Sequence, residues 1–257
     1  MEITFVNPGV DYMIMRIMGF QSESESAFWA DPLYHFYPQL DKEYAQSLPF
    51  EKRKGYIEQV MRKVYAETEN TINEKAVLYA NHWRVCKPQI TKALSEAFGI
   101  DCEDILNDMR CNVCLNPIEP RFLCERCYDT FYLNSAKGAI GGGIHEIIHF
   151  VWFYVWNRVF QDSYDEYERP SLKWILSEMV VDSVMRDERL STINPYFPAE
   201  HVYPYFFDLK VEGVPILDTL ADMYRNQSIE DFMRNSYAYC KEHEAVIRVH
   251  IEKSENQ

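Results

Sequence analysis

His145-Glu146-Ile147-Ile148-His149 carries the most legible chemistry in this chain of 257 residues. Histidines four apart lie on one side of an α-helix, about one turn from each other. At that spacing both imidazoles reach one tetrahedral metal ion. The glutamate beside the first histidine then projects near the metal's open position, where it can take a proton from a bound water. The pattern predicts a mononuclear zinc site built for hydrolysis, with His145 and His149 as ligands and Glu146 as general base.

The helix that must hold these residues is apolar almost all round, through Ile144, Ile147, Ile148, Phe150, Val151, Trp152, Phe153, Val155 and Trp156. Such a helix belongs in the middle of a domain. Ionisable groups at its start need a partner, because burying them alone is costly. The glycine-rich stretch from Ser135 to Gly143 reads as the lead into that helix.

A third ligand is available at Glu178, within Trp174-Ile175-Leu176-Ser177-Glu178-Met179-Val180-Val181-Asp182. Pro170 suits a first helical turn, and Leu172, Ile175, Met179 and Val180 recur at helical spacing. Glu178 and Asp182 are i and i+4 and share a face. Glu178 can bind the metal while Asp182 accepts a hydrogen bond from the far nitrogen of a ligand histidine, fixing its tautomer. A solvated acidic stripe is the alternative, since Asp187 and Glu188 follow, but the apolar neighbours argue for burial.

HEIIH followed by SEMVVD resembles the gluzincin branch of the zinc metallopeptidases, with HExxH on one helix and an ExxxD-type motif on the next. The resemblance covers roughly Arg121 to Arg189, about a quarter of the chain. It implies His145, His149 and Glu178 as ligands, Glu146 as base and proton shuttle, and Asp182 as support for a ligand histidine. It also implies that the strand before the HExxH helix, Thr130 to Asn134, is an edge to which extended substrate adds as a further strand. The metzincin alternative needs a glycine and a third histidine soon after His149, and Phe150 to Phe160 contains neither.

Hydrolysis also needs a donor for the developing oxyanion. Related peptidases often supply a tyrosine or histidine from further along the chain. The candidates are His201, Tyr203, Tyr205, Tyr237 and His243. His201 and Tyr203 are preferred because the stretch from Tyr196 to Phe207 reads as a long loop rich in proline and aromatics.

Cys111-x2-Cys114-x9-Cys124-x2-Cys127 has spacing that can hold a second, structural zinc. Two features oppose it. Leu115 and Tyr128 stand where zinc knuckles favour glycine, and Arg110 to Leu115 alternates like a strand. On the second view the cysteines are buried thiols in neighbouring strands.

Around these motifs the chain reads as a mainly helical α+β protein, zincin-like, with a small antiparallel sheet before the HExxH helix. Residues 1–107 form a mostly helical subdomain and residues 108–257 the catalytic one. Apolar residues recur at helical spacing from Glu51 to Phe98, where Pro88 can start the last of several helices and Gly99 can end it. Residues 1–20 read as a strand and turn, and a final helix is expected from Ile229 to His250.

A hydrophobic content of 47% excludes a disordered chain, and a formal net charge of -14 argues against nucleic-acid or anionic-membrane partners. The first residues lack a basic segment followed by an apolar one, and Ile147 to Trp156 is too short to span a bilayer. The expectation is a cytoplasmic peptidase with one catalytic zinc and a peptide or protein substrate. A non-catalytic, zinc-stabilised interaction module is the alternative. Oligomeric state is not legible.

Overall fold

A computed structural model gives the arrangement of residues 3–22, 25–162, 167–194 and 202–255. Its elements begin with β1 (Thr4–Val6), α1 (Val10–Gly19), α2 (Ala27–Phe36), α3 (Lys42–Ser47), α4 (Phe50–Phe98) and α5 (Glu103–Leu106). Then come β2 (Arg110–Cys114), β3 (Arg121–Phe122), β4 (Cys127–Phe131), α6 (Ala136–Phe160), α7 (Leu172–Met185) and α8 (Glu188–Ser191). The chain ends with α9 (Tyr205–Asp208), β5 (Lys210–Val211), β6 (Val214–Pro215), α10 (Ile216–Asn226), α11 (Ile229–Glu242) and α12 (Glu244–Glu255). This is the mainly helical α+β class expected.

Serine caps fix where the two central helices begin. The Ser135 hydroxyl accepts from the Gly138 N–H at 3.0 Å and starts α6; Ser171 does the same for the Trp174 N–H at 3.0 Å and starts α7. The glycine-rich stretch is therefore part of the helix rather than a lead into it. Its use is close approach. A Cβ on Gly143 would lie 2.9 Å from the Tyr128 hydroxyl, and one on Gly142 would lie 3.1 Å from Glu119 Oε2. Without those carbons α6 settles directly against β4 and the segment before β3. Pro170 stands just before the Ser171 cap, outside the first turn of α7. All of α7 is buried, between α6, α10 and α11.

The larger sheet has strand order β1-β2-β4-β3, with β1, β2 and β4 parallel and only β3 antiparallel to its neighbour. The expected antiparallel sheet is thus corrected to a mixed one. Residues 115–126 must return to the starting end of the sheet before β4 can run alongside β2, and the return leg pairs with β4 as β3. The Thr130–Asn134 edge is corrected as well. Tyr132 N–H donates to Cys114 O at 3.0 Å on one side. On the other, Glu119 accepts from Thr130 Oγ1 at 3.2 Å and Asn134 Nδ2 at 2.7 Å. The edge strands of the sheet are β1 and β3.

Both the sheet and the core cross the expected boundary between residues 107 and 108. β1 pairs with β2 in the register Phe5↔Cys111, and one continuous apolar cluster includes Ile57, Trp83 and Phe98 of α4 with Trp152, Leu176 and Phe232. Helix α4 runs unbroken through Pro88, with Trp83, Cys86, Ile90 and Leu94 buried on both sides of it. Packing of that face compensates for the one backbone hydrogen bond a proline removes. Gly99 ends the helix in the left-handed region at φ 63°, as expected. Residues 10–19 form a helix where a turn was expected, burying Met13, Ile14, Ile17 and Met18. The C-terminal helix is two, divided at His243. Among the described residues no helix is long and apolar enough to cross a membrane.

Candidate metal centre

Helices α6 and α7 bring His145, His149 and Glu178 to one point. The Nε2 atoms of the two histidines are 3.1 Å apart. Oε2 of Glu178 lies 3.3 Å from His145 Nε2 and 3.4 Å from His149 Nε2. The rings meet edge to face, with planes 65° apart. Donors bound to one tetrahedral zinc at about 2.0–2.1 Å stand roughly 3.3–3.4 Å from each other. The spacing of these three atoms fits such a centre.

Their ionisation fits as well. His149 is fully buried, and burial, aided by the Arg121 charge, pushes its pKa down to about 3. The ring is therefore neutral, with a lone pair to give. Burial alone would raise the pKa of Glu178, but His149, His145 and Arg121 hold its carboxyl well below the ordinary value, so it is ionised. The neutral imidazole of His149 and the carboxylate of Glu178, with the second imidazole of His145, make a donor set suited to zinc.

Glu146 joins the group: its Oε1 lies 3.8 Å from His145 Nε2, and a ligand atom from each of His145, Glu146 and His149 falls within 4.8 Å of the others. Oε2 of Glu146 is buried with no hydrogen-bond partner. Burial lifts its carboxyl to about 7, against the pull of His145 and Arg121. A carboxyl there exchanges protons close to neutral pH.

The pair expected between Asp182 and a ligand histidine is not made by His149, whose Nδ1 is buried without a partner. Asp182 is fully buried and holds Arg186, one turn further along, at 3.0 Å.

A cleft of about 610 Å³ opens onto these residues, lined by His145, Glu146, Glu178, Glu119, Arg121 and Glu168 together with apolar groups that include Phe28, Trp29, Trp174 and Tyr203. Tyr203 is thus beside the site. Its pKa is raised well above normal by burial and by Glu178, which keeps the hydroxyl protonated and a donor. His201 lies outside the described residues. Tyr205, Tyr237 and His243 do not line the cleft.

The cysteines are not gathered. Cys111 stands opposite Tyr128, Cys114 opposite Phe131 and Cys127 opposite Arg110; Cys124 is exposed. Among the described residues no cysteine belongs to a group of three or more metal-ligating side chains. Burial raises the thiol pKa of Cys111, Cys114 and Cys127 and keeps them protonated. Of the two readings of these cysteines, this arrangement favours buried thiols in neighbouring strands for Cys111, Cys114 and Cys127.

Arg121, Glu119 and Glu168 were not singled out from the sequence. One arginine in a short alternating segment reads as a solvent-facing strand residue, and only the fold turns Arg121 inward, to 7% exposure. Compared with models of known families, with curated proteins and with solved structures, the chain matches none.

Proposed function

We propose that this chain is a zinc-dependent peptidase that hydrolyses a peptide or protein substrate in the cleft above His145, His149 and Glu178. The observation that carries the reading is the meeting of three donor atoms from two helices at 3.1–3.4 Å with an unpartnered carboxylate oxygen of Glu146 beside them.

When bound, such an ion lowers the pKa of a coordinated water and polarises a carbonyl. Glu146 takes the proton from the attacking water and delivers it to the amine nitrogen as the peptide C–N bond breaks. Tyr203 supplies its hydroxyl proton as a hydrogen bond to the carbonyl oxygen while negative charge grows there. The aromatic wall of Phe28, Trp29 and Trp174 keeps water from one side of the cleft and offers an apolar side chain a place to pack.

Metal analysis of the full chain beside His145→Ala tests the centre, and a peptide-library cleavage screen of wild type beside Glu146→Gln tests the reaction. The expected result is one zinc per chain, lost in His145→Ala, and cleavage abolished in Glu146→Gln with zinc retained. Retained zinc with no cleavage by wild type would instead mark a site that only ties α6 to α7.

A further inference from the structure

The hydrolytic reading leaves one charged group of the cleft without a task. Arg121 is more than nine-tenths buried, and its Nη1 donates to Glu178 Oε1 at 3.0 Å. Its Nε and Nη2 are buried with no hydrogen-bond partner. Those two N–H groups share one edge of the guanidinium and point the same way, at the spacing of the two oxygens of a carboxylate. In native proteins buried donors are nearly always met by protein, water, an ion or a ligand.

The neighbouring carboxylates do not fill that edge. Glu178 takes only Nη1. Glu168 feels the charge of Arg121, which offsets part of the rise that burial causes in its pKa, but accepts no hydrogen bond from it. The other arginine lining the cleft, Arg169, is already paired with Glu25 at 2.7 Å and lies over the Trp29 ring. Arg121 is the one of these two arginines with buried donors left unpaired.

We propose that the unpaired edge of Arg121 is a receptor for a substrate carboxylate. The inference rests on the peptidase reading. Glu178 places Arg121 one carboxylate away from the histidines, since one oxygen faces the rings and the other faces the guanidinium. In a peptide the terminal carboxylate is separated from the last peptide carbonyl by one nitrogen and one Cα, about 3–4 Å of chain. A carboxy-terminal residue whose preceding carbonyl sits at the metal centre therefore brings its carboxylate towards Arg121, with its side chain free to meet the aromatic wall. An aspartate or glutamate side chain beside the scissile bond presents the same chemistry.

The test compares three acetylated tetrapeptides: one ending in phenylalanine as the free acid, the same peptide as the amide, and an amide carrying aspartate before the phenylalanine. Binding is read by calorimetry on the full chain carrying Glu146→Gln, with and without zinc, so that turnover does not intrude. The free acid is expected to bind about tenfold or more tightly than the plain amide. Arg121→Lys, which keeps the charge but not the paired donors, is expected to lose most of that preference and Arg121→Gln all of it. Tighter binding of the aspartate-bearing amide over the plain amide supports the receptor and assigns the side chain as its carboxylate. Equal affinity for all three peptides overturns the proposal, as does the absence of binding by any; neither outcome needs an Arg121 variant that folds. Preference for the acid in a chain that takes up no zinc when zinc is supplied sinks the peptidase and leaves the receptor. Zinc binding and cleavage without preference for a carboxylate sink the receptor alone.

Discussion

Glu178 and Arg121 form a buried ion pair at 3.0 Å in which the two side chains are 3% and 6% exposed, and the same glutamate turns its other oxygen to the histidines. One carboxylate thus serves two cations, the guanidinium and the proposed metal. Removing it strands both.

Glu178→Ala should therefore destabilise the metal-free protein by about 3–5 kcal/mol, because Arg121 is left charged and buried. Glu178→Gln keeps the shape and one acceptor for Arg121, so its loss of stability should be smaller, yet its zinc affinity should fall as far. Urea unfolding of the metal-free variants, read beside zinc content, separates the two effects. Unchanged unfolding midpoints in Glu178→Ala would mean the pair is not buried as described.

Zinc should stabilise the fold at one equivalent per chain, by an amount that rises with the logarithm of free zinc above its dissociation constant. Free zinc at a hundred times its dissociation constant adds about 2.7 kcal/mol, a shift visible in the thermal midpoint. The cysteines should contribute nothing to it. Cys111, Cys114 and Cys127 are buried and held protonated, and their strands place them opposite an aromatic ring or an arginine rather than one another. Replacing Cys111 and Cys114 by alanine should leave the zinc stoichiometry at one. A second equivalent lost with those thiols would show that they bind metal after all.

Close approach of α6 to β4 depends on Gly143, where a Cβ would lie 2.9 Å from the fully buried Tyr128 hydroxyl. Gly143→Ala should cost about 1–3 kcal/mol as the helix shifts off the sheet. The displacement reaches His145 two residues later, so zinc affinity should fall together with stability. Gly55 is the control: it lies within α4 with open space around its Cβ position, and Gly55→Ala should stabilise by about 0.5–1 kcal/mol. Thermal unfolding and zinc titration of both variants check the pair. Equal behaviour would remove the packing argument.

What was legible in the sequence follows from the range of the forces involved. The apolar runs of α6 and α7 are local, and so is the i, i+4 relation within each motif; the starts of both helices, set by Ser135 and Ser171, were placed wrongly from the glycines and Pro170. Strand direction is not local. Nothing in the residues of β2 and β4 says that the connection doubles back to pair as β3, so an antiparallel sheet was the natural reading of two short strands close in sequence. Pro88 misled because a proline usually marks a helix start, and only burial of Trp83 and Ile90 on both sides carries α4 through it. Arg121 was invisible for the same reason as the sheet: its inward turn is a property of β3, and β3 exists only because β4 pairs with it.

A buried acid under the sheet gives the last prediction. Asp129 in β4 is 1% exposed; its Oδ1 accepts from Tyr12 Oη at 2.8 Å and Asn112 Nδ2 at 2.9 Å. Burial lifts its carboxyl to about 6, against the hydrogen bonds from Asn112 and Tyr12 and the charge of Arg16. The unfolded chain has the ordinary value near 3.9. Between those two values the folded state holds the proton more often than the unfolded state does. Stability from this group is therefore greatest below about pH 4, falls as pH rises towards 6, and is level above, for a total of about 3 kcal/mol. Asp129→Asn keeps an oxygen for Tyr12 and Asn112 but does not titrate. Its stability relative to wild type should improve by about 2–3 kcal/mol between pH 4 and pH 7.5. Urea unfolding of both proteins at the two pH values measures the difference directly, since every other titrating group cancels in the comparison. A constant difference would show that Asp129 ionises in the folded protein as easily as in water.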